Sequence, residues 1–299
     1  MSYDLHDIAY LFNGEIVGDQ VSFPGPGHSA KDRSARFMIA PERKEGFIVH
    51  SYSPDTTDME LKRHVEKVLG GEVTFTPAPR GTPEDDQKKL QRALRIWAHS
   101  FDPKGTPVEK YLNRRRLSLP PEANSAIRWV PACPFGPDKF VPAMVCLIRH
   151  VREDIPLGIH RTAITHEGEK AFHTIGDGKR PQDRMIMGSG SDGAIKIGKP
   201  TDTLGIGEGL ESTLSLRAFK GLADMPVWSL ISANGVSGFP VLDGIKTLWV
   251  AEDNDEAGRK AVASLFKRWV AAEREVNPLT PPNEGEDLND LIRKGGVDG

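Results

Sequence analysis

Between Thr247 and Gly258 the chain reads TLWVAEDNDEAG: an apolar strand runs straight into two aspartates, Asp253 and Asp255, then a glycine and a long amphipathic helix. A strand that ends on polar residues and turns at once into a helix is the repeating step of a layered α/β fold, in which ligands collect at the carboxyl ends of strands. Carboxylates at i and i+2 on an extended backbone share one side. Such a pair is a hard, oxygen-rich donor set suited to Mg²⁺ or Mn²⁺. The plainer reading is a strand end with Asp255 capping the following helix.

The residues on either side of this pair continue the alternation. From about residue 201 the pattern predicts a strand at 203–207, a helix at 210–220, strands at 227–231 and 247–251, a helix at 256–275, a short strand near Val276 and a last helix at 287–294. This is an α/β unit, 201–299, with a mostly parallel sheet. Glu208 stands where the first of these strands turns into its helix, with glycines on both sides that leave the carboxylate open to a ligand. Asp287 and Asp290 begin the last helix, where capping is the competing explanation. Glu211, one helical turn beyond Glu208, faces either the same cleft or solvent.

Upstream, residues 1–75 read as a small β-rich module. It has a turn at Pro24–Gly27, two short strands over 35–40 and 47–50, and a helix from Asp58 to Leu69 stopped by Gly70 and Gly71. Residues 76–83, TPAPRGTP, form a linker. A mixed α+β segment follows over 84–200: two helices, the second ending in Arg114, Arg115 and Arg116, then a β-rich stretch from 126 to 198. Charged residues make up 27% of the chain and hydrophobic ones 38%, so it folds as a globular protein with cores of its own. The net charge of -3 does not announce a nucleic-acid binder, but a local basic face offset by acidic ligands elsewhere is compatible with it. Cys133 and Cys146 lack metal-ligand spacing. There is no P-loop motif, no apolar run long enough to span a bilayer and no signal-peptide order at the start, so a cytoplasmic setting is expected.

Glu-Gly after one strand, Asp-x-Asp with a following Gly after another, then Gly-x-Asp-x-Asn-Asp at 285–290 together resemble the Toprim domain. That domain is shared by bacterial DnaG-type primases, topoisomerases, some nucleases and recombination proteins. Upstream, Tyr111–Pro120 (YLNRRRLSLP) looks like the YLxxRGLxLP segment of phage- and plasmid-type primases, and 142–146, 158–162 and Lys170-Ala171 are similar to segments that precede Toprim in that group. The N-terminal module resembles the zinc-ribbon start of such primases but has Phe23 where a cysteine would precede Pro24. There is no cysteine in residues 1–132, and His28 and His50 are too few for a closed zinc site. No zinc is expected. An apolar core including Phe23, Phe37, Phe47 and Tyr52 would take its place.

The resemblance implies template-directed, metal-dependent RNA primer synthesis on single-stranded DNA from nucleoside triphosphates, in phage, plasmid or prophage replication, with any replicative helicase a separate protein. Asp253 and Asp255 would hold Mg²⁺ or Mn²⁺, Asp287 would complete the site, and Glu208 would be a ligand or general base. Asn289, where the family often has a second aspartate, would ligate without supplying charge; Asp290 and Glu211 are accessory candidates. Arg114, Arg115, Arg116, Arg161, Lys170, Lys179, Arg180 and Arg184 are the candidate cations for phosphate, with Arg161 and Arg116 favoured among them. Trp97 and Trp129 would stack bases or fill the core. The rival readings are a metal-dependent nuclease with the same carboxylates, and a nucleic-acid-binding or regulatory protein that kept the fold.

Overall fold

The computed structural model describes residues 2–17, 20–30, 32–40, 43–53, 55–70, 73–75, 83–175 and 181–295. The segment read as a linker falls outside them except for Pro83, as do Lys179 and Arg180. The chain divides into two compact units, Met1–Thr82 and Pro83–Gly299.

In the first unit, β1 (Ser2–Tyr3) and α1 (Leu5–Leu11) precede an antiparallel sheet of β2 (Glu15–Val17), β3 (Gln20–Phe23), β4 (Ala35–Ile39) and β5 (Phe47–Ser51), paired in that order. The sheet has four strands where the sequence pattern predicts two. Next comes α2 (Asp58–Leu69). A capping box between Thr57 and Glu60 starts this helix, and Gly70, at φ 66°, ends it. Its Leu61, Val65 and Leu69 share a core with Phe23, Phe37 and Phe47. The rings of Phe37 and Phe47 stack with centroids 5.2 Å apart. The unit closes with β6 (Thr74–Phe75), parallel to β1. Tyr52 does not join that core. It lies beyond the end of β5, is 58% exposed and sets its ring edge-on against His50. His28 and His50 are hydrogen-bonded to Asp32 and Asp58.

The second unit opens with α3 (Pro83–Ala98) and α4 (Pro107–Arg114). The strands β7 (Ile127–Pro134), β8 (Phe140–His150), β9 (Pro156–Ala163), β10 (Arg184–Gly188) and β11 (Gly193–Ile197) follow and pair antiparallel. The alternating part contains β12 (Thr203–Gly207), α5 (Leu210–Ser215), β13 (Val227–Ser229), α6 (Ala233–Gly238), β14 (Thr247–Ala251), α7 (Glu256–Ala271), β15 (Glu275–Leu279) and α8 (Leu288–Arg293). Its strands are parallel in the order β13-β12-β14-β15. Residue 200 marks no break in the sheet, because β11 pairs antiparallel with β13. One hydrogen-bonded sheet of nine strands runs through both segments.

The predicted boundaries shift for local reasons. The helix predicted over 210–220 gives way after Ser215 to a 3₁₀ turn, Leu216–Ala218. The strand predicted to reach Ile231 stops at Ser229, and Ile231 takes a left-handed φ of 72°. The long helix ends at Ala271 and leaves room for β15, an edge strand that tolerates Pro278. On β14, Leu248 and Val250 pack with Leu265 and Trp269 of α7, whereas Ala251 packs with Leu210 of α5 and Leu288 of α8. This alternation buries both faces of the parallel strands.

Arg116, just past α4, has a φ of 55°. In the resembled YLxxRGL segment a glycine falls at this position. A residue with a Cβ is strained there and glycine is not. Arg116→Gly is expected to raise stability in urea unfolding by roughly 0.5–1 kcal/mol. A fall in stability would show that the arginine side chain contributes more than its backbone costs.

Candidate functional site

Parallel pairing sets Gly207 of β12 opposite Ala251 of β14, so the residues that follow leave the sheet at one edge. Glu208 comes off β12 there, and Asp253 and Asp255 come off β14. Gly207 fits because the next strand and α5 are close: a Cβ would lie 2.6 Å from Thr213 Oγ1 and 3.0 Å from Ala251 Cβ. The Glu208 carbonyl accepts from the Ile231 amide at 2.9 Å and the Ser229 hydroxyl at 2.8 Å, which ties it to β13. Asp287 arrives by a different route. Asn254, the middle residue of the Asp-x-Asp pair, donates its amide to Glu286 O at 2.9 Å and accepts from the Gly285 amide at 2.8 Å. Its side chain donates to Pro281 O at 2.9 Å. The loop before α8 is thereby clipped onto the loop after β14.

Asp253 carries most of the strain of this arrangement. Burial pushes its carboxyl up to about 7, and the charges of Glu208, Asp287 and Asp255 push the same way. Its Oδ1 is buried with no hydrogen-bond partner. Burial, and then Asp255, also raise Glu208, while Arg184 opposes them. Asp255 and Asp287 have second duties as helix caps: Asp255 Oδ1 accepts from the Gly258 amide at 2.7 Å, and Asp287 Oδ1 from the Asp290 amide at 2.8 Å. Both capping readings therefore hold alongside the clustering. Asp290 closes the capping box of α8 and lies 3.7 Å from Arg293.

Among the described residues no group of three or more His, Cys, Asp or Glu is set so that it could hold a metal ion as it stands. In chemistry the residues fit a divalent cation. The donors are hard carboxylates, one buried oxygen is orphaned, and the mutual repulsion is of the kind a cation relieves.

The amide nitrogen of Asn289 is already engaged. The residue is 3% exposed, and its Nδ2 donates to Arg115 O at 3.1 Å and Ser215 Oγ at 3.2 Å. It ties α8 to α5 and the end of α4. Glu211 faces neither solvent nor the other carboxylates. It is 7% exposed and accepts from the Tyr111 hydroxyl. Burial alone would raise its pKa, but Arg184, the Tyr111 hydroxyl and Lys170 hold it at about 2.

The predicted cations separate into groups. Arg161 is 3% exposed; it donates to Pro134 O and, at 3.1 Å, to Ile186 O. It braces β7 and β10. Arg184 lies 3.7 Å from Glu211 and 3.5 Å from Asp183, and Lys170 lies 3.3 Å from Asp183. Arg114, Arg115 and Lys170, with Arg293, line a cavity of about 280 Å³ walled by Tyr111. There Arg115 lies over the Tyr111 ring, 4.5 Å from its centroid. Arg116 is exposed. Arg180 lies outside the described residues. Trp129 is buried, and Trp97 carries Arg128 on its face. Sequence reading missed Tyr111, Asp183 and Arg293. The first lies in the quoted YLNRRRL segment and the second directly precedes Arg184, so neighbourhood was the available signal. A larger cavity, about 490 Å³, holds Arg149, Arg152, Lys196 and Lys199 but none of the clustered carboxylates.

Residues 203–298 match the model of the Toprim domain, and residues 87–197 match a family described as a domain of unknown function (DUF7146). The chain carries a Toprim domain. No curated protein matches it. Similar solved structures include the zinc-binding and RNA polymerase domains of the Aquifex aeolicus primase (17% identity, 98% of this chain, 80% of that one, TM-score 0.44). They also include the primase fragment of the bacteriophage T7 primase-helicase protein (17%, 66% and 76%, TM-score 0.43) and a DNA primase domain from Pseudomonas aeruginosa (13%, 69% and 74%, TM-score 0.41). No helix among the described residues is long and apolar enough to cross a membrane.

Two outcomes test this site. A carboxyl raised from 3.8 to about 7 on folding penalises the folded state progressively as pH rises from about 4 to about 7. Asp253→Asn is therefore expected to raise the metal-free Tm by a few degrees, ~2–4 °C per kcal/mol for a unit this size. The gain should grow over that pH range and level off above it; a pH-independent gain would contradict the shift. At Gly258 a Cβ would stand 2.2 Å from the Asp253 carbonyl oxygen, so Gly258→Ala must displace the loop. Calorimetry is expected to show weaker Mn²⁺ binding and a loss of roughly 1–3 kcal/mol of stability.

Proposed function

We propose that this chain is a primase-type nucleotidyltransferase that joins ribonucleoside triphosphates on a single-stranded DNA template. The observation that carries the reading is the orphaned, repelled Asp253 carboxylate at the carboxyl ends of parallel strands, with a cation-lined cavity in the same compact unit. Toprim domains generally bind Mg²⁺ or Mn²⁺. Asp253 and Asp255 would hold the ion, with Asp287 beside them. When bound, it would neutralise the triphosphate and stabilise the departing pyrophosphate.

The chain's own residues supply the rest. Burial, and then Asp255, raise the Glu208 carboxyl above the usual carboxylate value, which makes it a stronger base. It is the proposed acceptor for the 3′-hydroxyl proton as that oxygen bonds to the α-phosphorus and pyrophosphate leaves. Arg184 and Lys170 meet the phosphates of the incoming nucleotide, and Arg115 and Arg293 take phosphate in the cavity. Tyr111 orients Arg115 through its ring. The N-terminal unit is the proposed template contact, and a replicative helicase is a proposed partner. The setting proposed is phage, plasmid or prophage replication in the cytoplasm.

The test is incubation of the full chain with single-stranded DNA, labelled ribonucleotides and Mg²⁺ or Mn²⁺. Labelled oligoribonucleotides are expected. Changing both Asp253 and Asp255 to Asn is expected to cut the yield about a hundredfold or more, the scale on which loss of one preorganised transition-state contact acts. Template cutting without incorporation would replace synthesis with the nuclease reading. DNA binding that ignores the double change, with no synthesis in either metal, would leave a non-catalytic binding protein.

A further inference from the structure

Glu208 and Glu211 are three residues apart at the start of one helix, yet their surroundings differ. Glu211 is buried and has left the carboxylate cluster for Tyr111 and Arg184. A buried carboxylate needs a compensating charge. Its neighbours narrow what that charge is. Tyr111 supplies a hydrogen bond and no charge. His160 stays neutral, because burial pushes its pKa down to about 4. Burial also pushes the Cys146 thiol up. Arg184 is the closest cation, with Lys170 behind it.

Arg184 is not used up by this role. Its contacts, 3.7 Å to Glu211 and 3.5 Å to Asp183, are longer than the ~2.7–2.9 Å of a charge-assisted hydrogen bond. Its side chain is 41% exposed. Its charge is also felt by Glu208, and that of Asp287 by it. The guanidinium is therefore held electrostatically against a buried anchor, at 3.7 Å from Glu211, with its donors open to a further anion.

We infer that Glu211 is a positioning residue that presets Arg184 to receive the triphosphate of an incoming nucleotide at the rim of the Glu208–Asp253 cluster. The inference rests on the nucleotidyl-transfer reading. A polyanion suits the place better than a single phosphodiester, because it can meet a carboxylate-held cation and the guanidinium at once.

Calorimetric titration of the full chain with inorganic tripolyphosphate in the presence of Mn²⁺ tests this, with Mn²⁺ binding alone followed separately by paramagnetic resonance. Arg184→Ala is expected to weaken tripolyphosphate binding roughly tenfold, and Glu211→Gln by a similar factor, the scale of coupling between contacting residues. The double variant is expected to be no weaker than Arg184→Ala alone, with Mn²⁺ binding within about twofold of the parent in all three. Full additivity of the two changes, or unaltered binding in Glu211→Gln, would overturn the inference. Should Glu211→Gln not fold, Tyr111→Phe replaces it in the same cycle, with the same non-additivity required. Coupled binding in a chain that makes no primer upholds the clamp and removes the synthesis reading. Uncoupled binding in a chain that does make primers removes the clamp alone.

Discussion

Burial of Asp253 among like charges is the constraint on which the rest of this site depends. Parallel pairing of β12 and β14 brings two strand ends, and therefore two acidic segments, to one edge of the sheet. The helices that follow must turn back at once to cover the sheet, which leaves the carboxylates little room to separate. The core allows the arrangement to persist. Leu248, Val250, Leu265 and Trp269 are buried in the core between β14 and α7, and fully burying apolar side chains of this size contributes about 1.5–3 kcal/mol each. Asp255 and Asp287 ease the crowding by capping α7 and α8, so the same oxygens that repel one another also begin the helices that enclose them.

Around this centre the charges are sorted in layers. Among the described residues Glu208, Asp253, Asp255 and Asp287 form no ion pair. Next come Arg184 and Lys170, held by Asp183 and Glu211, and then Arg115 over Tyr111, with Arg293 in the same cavity wall. The net charge of -3 hides this arrangement completely, because anions and cations cancel in the total while remaining separated in space.

The parts legible in the sequence were those set by local rules. The helix Asp58–Leu69 keeps its predicted bounds because a capping box and a left-handed glycine fix both ends. The positions of Glu208 and Asp253 just beyond strand ends were legible because a strand turning into a helix leaves its signature in consecutive residues. The parts that were not legible depend on partners far along the chain. Asn289 reads as a weakened ligand until Arg115 and Ser215 are found against its amide. Glu211 could not be placed without Tyr111, one hundred positions away. Arg161 belongs with them: its guanidinium donates to the carbonyls of Pro134 and Ile186, 27 and 25 positions away.

The N-terminal unit shows the same preference for carboxylate-centred polar order in a different form. Its loop between β3 and β4 is gathered around Asp32, which accepts from the Gly25 amide at 3.1 Å, the Ser34 amide at 3.2 Å and the Ser34 hydroxyl. His28 bonds to the same oxygen through Nδ1 and reaches Ser53 through Nε2 at 3.3 Å, joining the loop to the chain beyond β5. The Ser34 hydroxyl foremost, with the Gly25 and Ser34 amides, outweighs burial and holds Asp32 at about 2. A carboxyl depressed on folding contributes stability that is present above its unfolded value near 4 and is lost as pH falls toward 2. The loop's order is therefore tied to an ionised Asp32 throughout the neutral range. A hub of this kind holds Gly25, His28 and Ser34 strongly, because each bond to a charged acceptor counts for more than a neutral one.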